Sequence, residues 1–392
     1  MSQYKYLIVG GGMTADAAVR GIRAVDPKGT IGLFSQEPDP PYERPPLSKG
    51  LWLGKSVEKV WLKTESLGVE MHLATGIVTI DPRGKRARDD RGEEHAYGAL
   101  LLATGGTPRR LPFGEPNVIY YRTMRDYQRL RNLTEAGRRF AVIGGGFIGS
   151  EIAAALAING KQVVMVFPES SICARVFPPD LSQFLNRYFQ EKGVQIISGD
   201  SVESITGGVQ PVLKLKGKGE LASDGVVAGL GIQPNLDLAQ AAGLEIRDGG
   251  IAVDEQLRTS APGVYAAGDV AMFYNPTLDK FLRVEHEDNA LRMGEAAGRS
   301  MAGEKTAYRH LPFFYSDLFD LGYEAVGELD PHLEIIADWA EPYKKGVVYY
   351  LKAGRVRGVL AWNIFGLMDK ARLLIAEPGP FSPANLKNRL AA

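Results

Sequence analysis

A single cysteine, Cys173, is all the thiol chemistry in this sequence. One thiol cannot close a disulfide within the chain, form a redox dithiol or build a zinc or iron–sulfur centre ligated by the chain's own cysteines, so neither a disulfide framework nor such a metal centre is expected. Cys173 is read as an ordinary buried or edge residue. An excess of charge of one sign is also missing. The 46 Lys and Arg balance 46 Asp and Glu, which leaves no overall field toward nucleic acid or an anionic membrane. No apolar run approaches the roughly 18 to 20 residues of a spanning helix. The apolar opening Tyr4–Val9 lacks the basic start and small-residue cleavage site of a secretory signal, so a cytoplasmic protein with no membrane span is expected.

What is there is glycine and length. The 392 residues include 46 Gly and are 45% hydrophobic, an ordinary globular composition and enough chain for two or three domains. The β-rich run Tyr4–Val9 stops at Gly10-Gly11-Gly12 and is followed by the small-residue helical pattern of Ala15, Ala17, Ala18 and Val19. The same strand, glycine turn and helix recur at Arg139–Ile143, Gly144-Gly145-Gly146 and Ile148–Leu156. Two copies more than a hundred residues apart are a duplicated βαβ module, not a short-period repeat. Further strands are expected at Thr30–Phe34, Leu100–Ala103, Val163–Phe167, Val194–Ile197, Val226–Ala228 and Val264–Ala267, with a helix at Leu181–Lys192. Past about residue 306 the texture becomes aromatic and alternating, as in Gly346–Leu351 and Val359–Asn363, which predicts an α+β domain on an antiparallel sheet.

The first motif, Gly10-x-Gly12-x-x-Ala15, permits a tight turn and a close approach of backbone to a pyrophosphate at a helix N-terminus. Its second strand ends Ser35-Gln36-Glu37, so Gln36 stands where the usual ribose-binding acid would be and Glu37 is the candidate for the adenosine ribose. The second motif, Gly144-x-Gly146-x-x-Gly149, has Glu169 as the nearest acid after its own second strand. Arg175 is either a phosphate-holding cation or a solvated surface arginine. Two further segments, Leu101-Leu102-Ala103-Thr104-Gly105-Gly106 and Val264-Tyr265-Ala266-Ala267-Gly268-Asp269, are buried-type strands that end in small turns. They resemble segments of flavoproteins with two dinucleotide-binding domains. There the Ala-Thr-Gly turn, here Ala103, Thr104 and Gly105, lies against FAD, and the Gly-Asp carboxylate, here Gly268 and Asp269, bonds its ribityl or phosphate region.

Pro41-Tyr42-Glu43-Arg44-Pro45-Pro46-Leu47-Ser48-Lys49 resembles the flavin-contacting segment of the ferredoxin and rubredoxin reductase branch of the pyridine nucleotide-disulfide oxidoreductases. Phe147–Glu151, Phe167-Pro168-Glu169, Gly231–Asn235, Arg283-Val284-Glu285-His286, Tyr315-Ser316-Asp317 and Trp362–Phe365 are most similar to the apoptosis-inducing-factor family. The resemblance covers nearly the whole chain. It implies an FAD-binding domain in two parts, residues 1–110 and 240–305, an NAD(H)-binding domain at 111–239 and a C-terminal α+β domain at 306–392. By the same resemblance Arg44 and Lys49 contact the flavin, with Lys49 near N5 and paired to Glu151. Phe147 packs by the nicotinamide, Glu169 holds the adenosine ribose, and Gly231 lies at the nucleotide. Glu285 and His286 line the flavin pyrimidine edge, and Tyr315 falls where the vertebrate factor carries tryptophan. A cation beside N5 would favour the reduced, anionic flavin, and a neighbouring carboxylate would fix it.

The expected reaction is hydride transfer from NADH, favoured over NADPH because Glu169 repels a 2′-phosphate, to FAD and on to an external acceptor. A small iron–sulfur protein such as ferredoxin or rubredoxin, a quinone or oxygen fits as that acceptor. The alternative is a redox-responsive protein of the apoptosis-inducing type, in which a long-lived NADH-reduced flavin complex controls association. The basic stretch and the long C-terminal insertion of the vertebrate factor are both lacking, so no nucleic-acid role carries over. A homodimer is compatible with the resemblance.

Overall fold

The computed structural model describes residues 2–208, 210–217 and 219–390. The chain divides into two compact units: one holds the residues up to Arg44 with Val57–Thr107 and Gln233–Pro312, the other holds Pro45–Ser56, Pro108–Ile232 and the chain from Phe313 onward.

The first unit is built on a parallel sheet in the order Glu70–His72, Ile31–Phe34, Ser2–Val9, Glu94–Leu102, with Val264–Ala266 on the far side of Leu100–Leu102. Strand Glu94–Leu102 serves two partners. Its first residues pair antiparallel with Arg86–Asp89, which pairs in turn with Ile77–Asp81, while its apolar end lies inside the parallel sheet. Leu100, Leu101 and Leu102 are buried, as are Leu7, Ile8 and Val9 beside them, the continuous apolar run of a strand covered on both faces.

Helix Met13–Val25 packs on helix Glu287–Met301, an element not among those expected above, and the contact is made backbone to backbone through glycine. A Cβ on Gly298 would stand 2.0 Å from the Ala18 carbonyl oxygen, one on Gly294 2.5 Å from Thr14 O, and one on Gly21 2.2 Å from Glu295 O. The spacing of Gly294 and Gly298, four residues apart, puts both on one helix face.

In the second unit a parallel sheet runs Val194–Ser198, Gln162–Phe167, Arg139–Ile143, Gly225–Ala228, Val118–Tyr120. An antiparallel sheet of Val202–Thr206, Val212–Leu215 and Gly219–Ala222 accompanies it. Helix Pro179–Glu191 begins two residues before the predicted Leu181 because Pro179 takes the first helical position, where its missing N–H costs nothing. The C-terminal part is a five-stranded antiparallel sheet in the order Phe313–Leu318, Leu321–Gly327, Arg355–Trp362, Lys345–Lys352, Glu334–Glu341, backed by helix Met368–Ala376. Tyr323 lies opposite Trp362 in register and stacks on it, centroids 5.6 Å apart and 3° from parallel, while Phe177 meets Tyr323 edge-on at 5.0 Å. Among the described residues no helix is long and apolar enough to cross a membrane.

Alanine ordinarily improves a helix by about 1 kcal/mol over glycine. At Gly298 the new methyl meets a main-chain carbonyl that cannot rotate away, so overpacking wins. Gly298→Ala is expected to destabilise the protein by about 1–3 kcal/mol, read as a lower unfolding temperature by calorimetry.

Candidate functional site

The two glycine motifs divide the same labour in both copies. Gly10 has φ +130°, and a Cβ there would meet Ala103 O at 2.1 Å. Gly144 has φ +111° and faces Gly229 O at 2.4 Å, while Gly149 abuts Gly144 O at 2.0 Å. These glycines are required by the protein's own packing. Gly12 and Gly146 are different. A Cβ on Gly146 would meet nothing within 4 Å, and one on Gly12 only the end of Arg44 at 3.9 Å. Both cap their helices, Met13–Val25 and Phe147–Ile158, with extended backbone and no side-chain cap. Bare, positively polarised helix ends with open space in front of a glycine are what an approaching pyrophosphate needs, and the residues present fit a dinucleotide in each unit.

Within the first unit the structure gathers the predicted flavin residues. Ala15 is buried under the turn. Glu37 accepts from Tyr42 Oη at 2.7 Å and pairs closely with the Arg44 guanidinium. Burial works against the Arg44 charge, but Tyr42, Glu37 and Asp269 hold its pKa above the ordinary arginine value. The Thr104–Gly105 turn is fixed by Asn235, whose Nδ2 donates to Thr104 O at 2.8 Å while the Thr104 hydroxyl donates to Asn235 O at 3.0 Å. Gly268, φ +78°, sits against Thr14 and places Asp269 near enough to act on both Arg44 and His286. Glu285 instead faces Arg283, at 2.6 Å. Sequence reasoning passed over Tyr42 and Asn235, although each lies inside or beside a motif it quoted.

The second unit holds Phe147, Glu169, Arg175, Gly231 and Tyr315. Phe147, first residue of its helix, lies 5.2 Å from Phe314 by ring centroid. Glu169 and Arg175 pair with each other at 2.5 Å, the arginine 83% exposed. Gly231, φ +78°, has its carbonyl bonded by Arg109 N at 2.9 Å. Lys49 Nζ reaches Glu151 Oε1 at 2.6 Å and lies 5.5 Å from the centre of the Tyr315 ring. Glu151 is buried at 4% exposure and also accepts from Ser48 and Ser316. Asp317 is near enough to feel both partners: burial raises its pKa, opposed by Lys49 and reinforced by Glu151.

Cys173 is buried, and desolvation pushes its thiol up to about 12, so it is no nucleophile. Among the described residues one cluster, Asp89, Glu93 and His95, has ligand-like spacing. Its chemistry favours a hydrogen bond over a metal. His95 Nε2 faces Asp89 Oδ2 at 3.1 Å, and the buried Nδ1 has no partner, whereas a metal-bound imidazole normally donates its other N–H.

Three outcomes are expected. Gly146→Ala should cost the fold little yet weaken binding of nicotinamide nucleotide about tenfold, some 1.4 kcal/mol, by calorimetric titration. Gly145→Ala, whose Cβ would strike the Phe167 ring at 2.8 Å, should show the reverse. Burial lowers the His286 pKa from 6.5 to about 4, against the pull of Asp269 and Asp288. The unfolded chain therefore binds a proton here more readily than the native one. The contribution of neutral His286 is complete above the unfolded value and is lost as pH falls from 6.5 toward about 4. In urea unfolding series, His286→Gln should flatten the stability profile across that window.

The pyridine nucleotide-disulphide oxidoreductase family matches residues 4–294, and the C-terminal domain of mitochondrion-associated apoptosis-inducing factor matches 297–342 and 338–377. Apoptosis-inducing factor 1 of Dictyostelium discoideum is 34% identical over 96% of this chain and 79% of its own. The ferredoxin–NAD(+) reductase component of the Burkholderia cepacia anthranilate 1,2-dioxygenase system is 34% identical over 98% of this chain and 97% of its own. The crystal structure of the covalent putidaredoxin reductase–putidaredoxin complex superposes with a TM-score of 0.91 at 30% identity, covering 98% of this chain and 95% of that one. With two glycine-cradled dinucleotide sites and a matching C-terminal domain, the chain belongs to the pyridine nucleotide-disulphide oxidoreductase family and is an FAD-dependent oxidoreductase that uses a nicotinamide nucleotide.

Proposed function

We propose that this protein is an NADH-dependent reductase of a small iron–sulfur protein of the ferredoxin or rubredoxin type. The end-to-end match to the Burkholderia ferredoxin reductase component carries this reading. The one cysteine supports it: a chain with no dithiol must hand its electrons to something outside itself. Bound FAD supplies the hydride acceptance and one-electron release that no side chain here performs.

The protein's own part is binding and orientation. The open N-termini at Gly12 and Gly146 take the pyrophosphates, while Arg44, Asp269 and His286 hold the flavin. His286, neutral near pH 7 with its pKa lowered to about 4, serves as a polar contact and not as a cation. Phe147 and Tyr315 shield the nicotinamide from water, and Lys49, held by Glu151, is the cation that favours reduced flavin. Glu169 receives the adenosine ribose of NADH. Its carboxylate already engages Arg175, and a 2′-phosphate would have to displace that contact. The second reading, a redox-responsive protein of the apoptosis-inducing type, draws on the C-terminal domain match.

Anaerobic stopped-flow reduction by NADH and NADPH, followed by mixing with ferredoxin or a quinone, separates these readings. Rapid bleaching by NADH and rapid reoxidation by ferredoxin is the expected result. Slow bleaching with a persistent long-wavelength band and no fast acceptor would establish the second reading, and fast reoxidation by quinone alone would replace the acceptor. Lys49→Ala should slow flavin reduction at least about tenfold, and Glu169→Ala should narrow the preference for NADH by about the same factor, 1.4 kcal/mol.

A further inference from the structure

Ser48 and Ser316 come from distant parts of the chain and meet on one carboxylate. Ser48 ends the short 3₁₀ turn Pro45–Ser48, and its Oγ donates to Glu151 Oε2 at 2.5 Å. Ser316 lies in strand Phe313–Leu318 and donates to Oε1 at 2.5 Å, the same oxygen that Lys49 Nζ reaches at 2.6 Å. All four residues belong to one compact unit. Both serines are buried, at 5% and 1% exposure.

The position of Ser316 is informative. Alternation along its strand puts it on the inward face with Leu318, while Tyr315 and Asp317 turn outward. A hydroxyl on an otherwise apolar inward face is costly unless it is bonded, and here it donates to Glu151 while the buried Tyr323 hydroxyl also bonds it. Packing alone would be served by alanine. A carboxylate with a single donor can rotate about its terminal torsion, which is broad and roughly two-fold. With one donor fixed on each oxygen, the Glu151 plane is set, and with it the place where the Lys49 ammonium must lie. Tyr315 beneath the lysine and Asp317 beside it complete the charged surroundings.

We infer that Ser48 and Ser316 are positioning residues for the redox site: they clamp the Glu151 carboxylate in one orientation, so that Lys49 is delivered to the flavin in a single place. The C-terminal domain, through Ser316, thereby takes part in tuning the cofactor. This rests on the role proposed above for the Lys49–Glu151 pair.

The test is a mutant cycle on the FAD-loaded protein, with Ser48→Ala, Ser316→Ala, Ser316→Thr, Lys49→Met and Lys49→Met/Ser316→Ala. Three quantities are read: the limiting rate of flavin reduction by NADH, the apparent dissociation constant of NADH, and the equilibrium midpoint potential of the bound flavin. Each serine-to-alanine change should lower the limiting rate about tenfold, leave the dissociation constant within about twofold, and move the potential in the same direction as Lys49→Met. Ser316→Thr, which keeps the hydroxyl, should recover most of the loss. In the Lys49→Met background, Ser316→Ala should change nothing further, because coupled residues are not additive. Equal effects of Ser316→Ala in both backgrounds, or serine variants without effect beside an impaired Lys49→Met, would overturn the clamp alone. A Lys49→Met protein with unaltered rate and potential would overturn the role of the pair and the clamp together.

Discussion

Each dinucleotide site depends on a place where a main-chain carbonyl comes within touching distance of a bare α-carbon. Ala103 O against Gly10 and Gly229 O against Gly144 leave no room for a side chain. The glycine turn can therefore close tightly on the neighbouring strand, and the helix that follows starts directly above the sheet. From that contact come the direction of the helix, the N–H groups of its first turn that point forward from the N-terminus, and the gap in front of Gly12 or Gly146. Positive φ at Gly10 and Gly144 is the second half of the same requirement, since an L side chain would be strained there even with space to spare.

Much of this was legible in the sequence because backbone constraints leave glycine in fixed places. The two glycine motifs, the strands that precede them, the strands Val163–Phe167 and Val226–Ala228, and the antiparallel C-terminal sheet could all be read from residue pattern alone. The helix Glu287–Met301 follows helical spacing in its buried Ala290, Met293, Ala297 and Met301, but nothing local shows that Gly294 and Gly298 on that face lie against another helix. Nor could the association of Pro45–Ser56 with the second unit be read from pattern. It depends on where a short 3₁₀ turn meets residues a hundred positions away, and no local pattern records such a meeting. Ser48 and Ser316 stood inside quoted motifs, yet a serine carries no sign of the carboxylate it will serve. Glu151, surrounded by Ile152, Ala153 and Ala154 in a buried helix, was the available clue that donors had to converge from elsewhere.

The charged groups flagged as ligand contacts are already engaged. Arg44 holds Glu37, Arg175 holds Glu169, and Lys49 holds Glu151. Their environments differ in a way that matters. Arg175 is largely in water, where such a pair is worth about 0–1 kcal/mol and gives way easily. Glu151 is buried with all its donors in place, and breaking a pair of that kind leaves an uncompensated charge. The first arrangement suits a contact that exchanges partners whenever a nucleotide arrives and leaves. The second suits a fixture that stays the same through every turnover.

The buried Cys173, its thiol pushed up to about 12, has a practical consequence. At neutral pH the folded chain presents no thiolate to a maleimide or to an activated disulfide. A cysteine placed by mutation at any solvent-facing position would be the one nucleophilic sulfur on the molecule, without first stripping out native ones. Spin labels, fluorophores and cross-linkers could be walked across the surface one position at a time, and the footprint of any protein that docks on the chain could be traced on an otherwise blank background.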